Sequence, residues 1–173
     1  MELFDAFAMR RSVRAYQSRN VEDEKLQRIL EAVNMAPSAG NKQAYGVVVV
    51  KSEAGRHRLM EAAYGQEFIL QAPVALVFCV DPSRNADRYG TRGERLYALQ
   101  DATIACTYAM LAATDLGLAT VWVGAFDDAR VANVVGVTEP VHPVAILPIG
   151  YAAESPEPRP RRALAETVHH EHW

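Results

Sequence analysis

The chain has 173 residues, with 18 Lys and Arg against 21 Asp and Glu, a formal net charge of −3, half its residues apolar and two cysteines. This length suits one domain with a real hydrophobic core, and 50% apolar with 23% charged residues excludes a disordered or low-complexity chain. The slightly negative balance gives no general attraction to nucleic acid or anionic lipid, so neither partner is expected.

In chain order, Leu3, Phe4 and Phe7 recur at helical spacing and predict a short opening helix. No secretory apolar region is visible in Met1–Arg14. A clearer helix follows, with Asn20 as N-cap, Asp23 three residues on, and Leu26, Ile29, Leu30 and Val33 as its apolar stripe. Pro37 disfavours helix at Ala36 and opens a polar loop, Pro37–Tyr45. Gly46–Lys51 holds four consecutive valines and reads as a buried strand. Gly55–Ala63 reads as a short helix, and Pro73–Val80 as a second buried strand.

Asp81–Arg95 holds four arginines, three acids, two glycines and a proline, and is expected to be an exposed, mobile excursion. The long helix Leu96–Leu116 ends at Gly117, a suitable residue for a left-handed helix terminus. Gln100, Asp101, Thr103, Thr107, Thr114 and Asp115 make this stretch too polar to span a bilayer. It is apolar nearly all round, which points to a dimer interface with Ala109 facing the partner. Ala119–Val123 reads as a third strand, Asp127–Val135 as a helix and Val144–Gly150 as a fourth strand. Prolines at 156, 158 and 160 make the tail an extended arm over residues 155–173. The elements sum to a single α+β domain, 1–173, with about four strands and five helices.

Three clusters carry chemistry. In Arg10–Arg14, an extended backbone turns Arg10, Ser12 and Arg14 to one side, and two guanidinium forks with a hydroxyl suit a phosphate; a solvated basic patch is the alternative. Pro37–Gln43 offers Ser38, Asn41 and Gln43 on a glycine-containing loop, suited to the edge of a heterocycle or to an ordinary turn. It is not a Walker loop, and no G-x-G-x-x-G occurs, which argues against a dinucleotide-binding Rossmann domain. Arg159–Arg162 concentrates arginine on a stiff backbone, as a partner-binding segment or a charged tail. His169, His170 and His172 with Glu171 read as a terminal polar cluster rather than a metal site. Cys79 and Cys106 lie in apolar runs and read as reduced core residues, as in a cytoplasmic protein.

Four segments in order, RRSVRAYQ, EKLQRILEAVNMAPSAGNKQAYGVVVV, LQDATIACTYAMLAATDLGLATVWVGAFDD and PVAILPIGYAAESPEPRPRR, resemble the FMN-dependent nitroreductase family over nearly the whole chain. The resemblance implies a nitroreductase-like fold: a central, mostly antiparallel sheet flanked by helices, in an interlocked homodimer with an extended C-terminal arm. It also implies bound FMN, NADH or NADPH as electron donor, and a small-molecule electron acceptor. By match to the family's segments, Arg10, Arg11, Ser12 and Arg14 would hold the FMN phosphate and ribityl chain, with Arg14 toward the pyrimidine edge. Pro37, Ser38, Ala39 and Asn41 match the loop that the partner subunit lays against the flavin, with Ala39 where the family often has a second serine. Gln66 matches a pyrimidine-edge position. Val123, Gly124 and Ala125 match the strand-end turn beside the ring, with the Gly124 N–H as donor to flavin N5. Arg159 and Arg161 match tail cations that close on the phosphate.

The implied activity is ping-pong hydride transfer from NAD(P)H through flavin N5 to acceptors such as nitroaromatics or quinones, with no catalytic side chain named. Two other readings remain: a specialised flavoenzyme of this fold, of dehalogenase, flavin-fragmenting or dehydrogenase type, and a non-catalytic flavin-binding protein.

Overall fold

The structure is a computed structural model and describes residues 2–173. Seven α-helices and four strands are present among the described residues: α1 (Leu3–Met9), α2 (Asp23–Asn34), β1 (Tyr45–Val50), α3 (Glu53–Ala62), α4 (Phe68–Gln71), β2 (Val74–Val80), α5 (Ser83–Arg92), α6 (Ala98–Asp115), β3 (Ala119–Thr120), α7 (Asp128–Val135) and β4 (His142–Gly150). The strands form one sheet in the order β1-β2-β4-β3, and every ladder is antiparallel. This is the expected α+β architecture.

The sheet is the middle of three layers, because the period-2 geometry of a strand sends alternate side chains to opposite faces. Val74, Leu76 and Phe78 of β2 pack with Leu26, Ile29 and Val33 of α2 and with Ala105, Ala109 and Ala113 of α6. Ala75, Val77 and Cys79 pack on the other face with Leu59 and Ala62 of α3, Ile69 of α4 and Val131 of α7. Both faces are dry, which explains why β2 is an unbroken apolar run. Burial pushes the Cys79 thiol up to about 11, in keeping with an inert core residue.

Several expectations need correction. The segment Asp81–Arg95 is mostly exposed, as expected, but it is not irregular: it forms α5 and a π-helical turn, Gly93–Tyr97, that runs directly into α6. Its charges are used in anchoring rather than solvated at random, as described below. The N-cap position of α2 is Glu22 instead of Asn20, and its side chain makes no capping hydrogen bond, the carboxylate being engaged by Arg19 and by the Tyr151 hydroxyl. Ala109 faces the chain's own core and is fully buried, so it cannot meet a partner. The exposed side of α6 instead carries Leu99, Thr103, Thr107 and Tyr108. The short helix α4 has no counterpart in the expected elements, since its four residues are too few to show a period.

Within the third strand, hydrogen bonding lapses at Val121 and Trp122. It resumes at Val123, which exchanges bonds of 2.9 and 3.0 Å with Ile146 in the same register. α6 ends at Gly117 with φ of +72°, the left-handed terminus expected there. No helix among the described residues is long and apolar enough to cross a membrane.

Candidate functional site

Ser12 forms a bridge with Thr120, and the Val13 N–H donates to the Thr120 carbonyl at 3.1 Å. These bonds lay the Arg10–Arg14 segment along β3 at the C-terminal end of α6. On the far side, the Arg14 N–H donates to Oε1 of Glu154 at 2.5 Å, and the Ala153 N–H to the Ala15 carbonyl at 2.9 Å. Those contacts turn the tail back over the same segment. The result is a cleft of about 460 Å³ whose walls include Arg10, Arg11, Ser12 and Arg14 from one end of the chain and Arg159 and Arg161 from the other.

Among the described residues, none of these five guanidinium groups pairs with a carboxylate. Burial, then the neighbouring charges of Arg161 and Arg11, push Arg10 below its ordinary value. Glu157 is the one carboxylate lining the cleft, so positive charge is in excess there and suits a dianionic ligand such as a phosphate monoester. In the adjoining pocket, which Thr120 lines together with Arg10 and Arg11, the Thr120 hydroxyl oxygen is buried without a hydrogen-bond partner. The donor set fits the phosphate end of FMN.

Val123 keeps the register of Thr120 on β4, and Gly124 and Ala125 follow it, so that by the rise of a strand Gly124 lies at most about 13 Å from the Ser12–Thr120 bridge. A Cβ at Gly124 would meet the Trp122 indole nitrogen at 3.3 Å, so a side chain there would force Trp122 to shift. Gln66 is close by: its Nε2 donates to the carbonyls of Ala125 and Ala63, both at 2.9 Å. The structure thus makes Gln66 the residue that holds the turn.

Pro37, Ser38 and Ala39 lie elsewhere, on a cavity of about 820 Å³ that they share with Tyr89, Tyr97 and Asp101. Asn41 adopts φ of +57°, at an exposed corner of a tight turn over Ala39–Asn41. Asp101 is on the first turn of α6 and Thr114, beside Arg10 and Arg11, is near its end. At 1.5 Å per residue the two groups are about 20 Å apart. Within one chain they do not meet.

The Nitroreductase family model matches residues 7–67 and 60–151. The chain belongs to the nitroreductase family. It is 33% identical to the FMN reductase [NAD(P)H] of Bacillus subtilis over 98% of this chain and 73% of that one. A solved nitroreductase family protein from Clostridium difficile 630 superposes with a TM-score of 0.89 at 32% identity, covering all of both chains. The NADPH:FMN oxidoreductase from Vibrio harveyi, complexed with NAD+, superposes with a TM-score of 0.91 at 26% identity over 99% of this chain and 77% of that one.

In this nitroreductase-family chain, two residues that organise the second site escaped the sequence reading. Asp101, 2% exposed, accepts from the Ala39 N–H at 2.8 Å, the Ala44 N–H at 3.4 Å and Nδ2 of Asn85 at 3.2 Å. Burial, and then the Asp101 charge, push the nearby Tyr45 phenol up. Asn85 is the one wholly buried polar residue of α5. Asp101 shares the inward face of α6 with Ala98, Ala102 and Ala105, and a carboxylate at that spacing is the available signal: buried charge needs partners.

Proposed function

We propose that this chain is an NAD(P)H-dependent FMN oxidoreductase that works as a homodimer. The observation that carries the reading is the cleft joining Arg10, Arg11 and Arg14 to Arg159 and Arg161. Bound FMN supplies a two-electron carrier that accepts hydride at N5 from the nicotinamide and yields it to an acceptor. The chain's own residues bind and orient. Arg10, Arg11, Arg159 and Arg161 hold the phosphate, with Ser12 on the ribityl side. Arg14, whose backbone is fixed by Glu154, would place a cation toward the pyrimidine edge, where it would favour the reduced form by offsetting the negative charge that reduction leaves there. The Gly124 N–H stands as donor to N5, and Gln66 keeps Val123, Gly124 and Ala125 in place.

The separation of the two sites supports the dimer. Pro37, Ser38, Ala39 and Asn41 cannot reach the chain's own arginine cleft, but in a two-fold pair they can cover the partner's flavin. A band of exposed apolar residues is available for that contact: Phe4 is 82% and Phe7 50% exposed on α1, beside Tyr108 of α6. The reaction is ping-pong, with nicotinamide and acceptor using the same space in turn, and acceptors are quinones or nitroaromatics. The protein works in the cytoplasm.

The test is an anaerobic half-reaction on FMN-loaded protein. NADH or NADPH should bleach the yellow flavin, and a quinone or nitroaromatic should restore it, with parallel-line steady-state kinetics. Tight FMN binding without bleaching would defeat the reductase reading. Bleaching without reoxidation by either acceptor class would point to a specialised flavoenzyme of the same fold.

A further inference from the structure

Between Ala39 and Ala44 the backbone takes a shape that its residues do not favour. Gly40, Asn41 and Gln43 lie in the left-handed region, at φ of +54°, +57° and +50°, and two of the three carry a side chain. Inside the loop, the Asn41 N–H donates to the Ser38 carbonyl, the Lys42 N–H to the Ala39 carbonyl and the Gln43 N–H to Oγ of Ser38, each at 3.0 Å. These bonds close the turn on itself without fixing where it stands on the rest of the chain.

That is done from α6. Oδ1 of Asp101 accepts from the Ala39 N–H at 2.8 Å and Oδ2 from the Ala44 N–H at 3.4 Å, so one carboxylate grips the left-handed stretch at both ends. Oδ2 also accepts from Nδ2 of Asn85 at 3.2 Å, which brings in α5. Asp101 pairs with no cation among the described residues, and its charge is met by N–H groups. A carboxylate accepts at both oxygens and satisfies all three donors, whereas an amide would turn a donor toward one side.

α5 braces the same turn from outside. Lys42 pairs with Asp87 at 2.7 Å, and Nε of Arg84 donates to the Lys42 carbonyl at 3.1 Å. A Cβ at Gly40 would run into the Tyr89 hydroxyl and Nη1 of Arg88, so α5 packs directly on the turn. The outer contacts are exposed, whereas Asp101 and Asn85 are buried, and the dry contacts set the position. Oδ1 of Asn85 has no partner.

Resting on the reading that this loop covers a partner's flavin, we propose that Asp101 is a positioning residue for the partner subunit's FMN site. It acts through the backbone of Ala39 and Ala44 and takes no part in hydride transfer.

Asp101→Asn is the variant of choice. It keeps the shape, and Asn85 can turn its free Oδ1 toward the new amide, while the Ala44 N–H loses its acceptor. The FMN Kd, by fluorescence titration well below the melting range, should rise about tenfold for the loss of one hydrogen bond to a charged group. A mixed dimer decides where the effect is felt. One chain, under its own affinity tag, carries Asp101→Asn, and the other carries Arg10→Ala with Arg161→Ala. If Asp101 serves the partner's site, one site joins an intact cleft to an intact loop and the other has both defects. The mixed dimer should then bind one FMN with the parent's Kd, an affinity that neither variant homodimer reaches.

A tighter site no better than that of the Asp101→Asn homodimer would place the effect within one chain and overturns the proposal. So does an unchanged FMN Kd in Asp101→Asn, whatever its Tm, which would make the carboxylate structural alone. Should Asp101→Asn not fold, Asn85→Ala takes its place in both arms. It removes only the α5 donor and should raise the Kd about threefold, and an unchanged Kd there overturns the proposal equally. A parent that is monomeric by light scattering, or binds no FMN, overturns the underlying reading instead and removes the role of Asp101 with it.

Discussion

At the C-terminal end of α6, five arginines from the two ends of the chain face one cleft with no carboxylate paired to them, and a buried threonine hydroxyl has no partner. At the N-terminal end, a buried carboxylate accepts three hydrogen bonds, and an ion pair and a backbone contact tie α5 to the same loop. The first region leaves its charge for a ligand to neutralise. The second satisfies its buried charge internally, with Asn85 Oδ1 as its one buried side-chain atom left unpartnered among the described residues, and leaves an aromatic cavity. Under the proposed function the arginine cleft holds the cofactor's phosphate, and a site of that kind must bind tightly.

The largest effect expected from this contrast concerns the cleft. Replacing Arg10 and Arg161 with alanine removes two charge-assisted contacts of about 1.5–3 kcal/mol each, so FMN affinity should fall at least a hundredfold or so. A fluorescence titration of FMN measures it. The same variant without FMN should melt no lower than the parent, because like charges have been separated. A large drop in its apo Tm would mean the arginines are structural.

Asp101→Ala should do the reverse. Three donors lose their acceptor, two of them the backbone N–H groups of Ala39 and Ala44, at a cost of about 3 kcal/mol or more. In a chain of this size that is a fall in Tm of about 6–12 °C by calorimetry. A melting point within a degree or two of the parent would break the contrast between the two ends.

Much of the sheet was legible because β2 and β4 are buried on both faces and write themselves as apolar runs. The arginine cleft was legible as two clusters and as a resemblance. Their meeting depends on the Ser12–Thr120 and Arg14–Glu154 contacts, which join residues 108 and 140 positions apart and leave no local signature. α5 was missed for a different reason. Its partners, Lys42 and Asp101, lie in other elements, and a polar helix held by such bonds has the composition of a loop. Ala109 was misplaced because α6 is apolar on more than one side, and small residues line its inner face where the sheet approaches closely.

A smaller effect sharpens the picture of the cleft. Thr120→Val removes a buried, unpartnered hydroxyl while keeping its shape, and should stabilise the apo protein by about 1 kcal/mol, or 2–4 °C in Tm. With FMN present the gain should shrink if the hydroxyl faces the ligand. A lower apo Tm would mean that the hydroxyl is already satisfied.

The smallest effect is the acid response of the α5 strap. The hydrogen bond from Lys42, aided by its charge, holds Asp87 below the ordinary aspartate value of 3.8. A carboxylate depressed in the folded state contributes stability that is fully present above that value and lost as pH falls through its lower, folded one. Acidification below 3.8 should therefore loosen α5 locally, while Asn85 and Asp101 still hold its inner side. Amide exchange over residues 83–92 should accelerate in that window before β2 responds. Asp87→Asn should show the faster exchange already at neutral pH and little further change on acidification. Equal acid sensitivity in the parent and in Asp87→Asn would mean that the strap is held elsewhere, by the Arg84–Lys42 carbonyl and Asn85–Asp101 contacts.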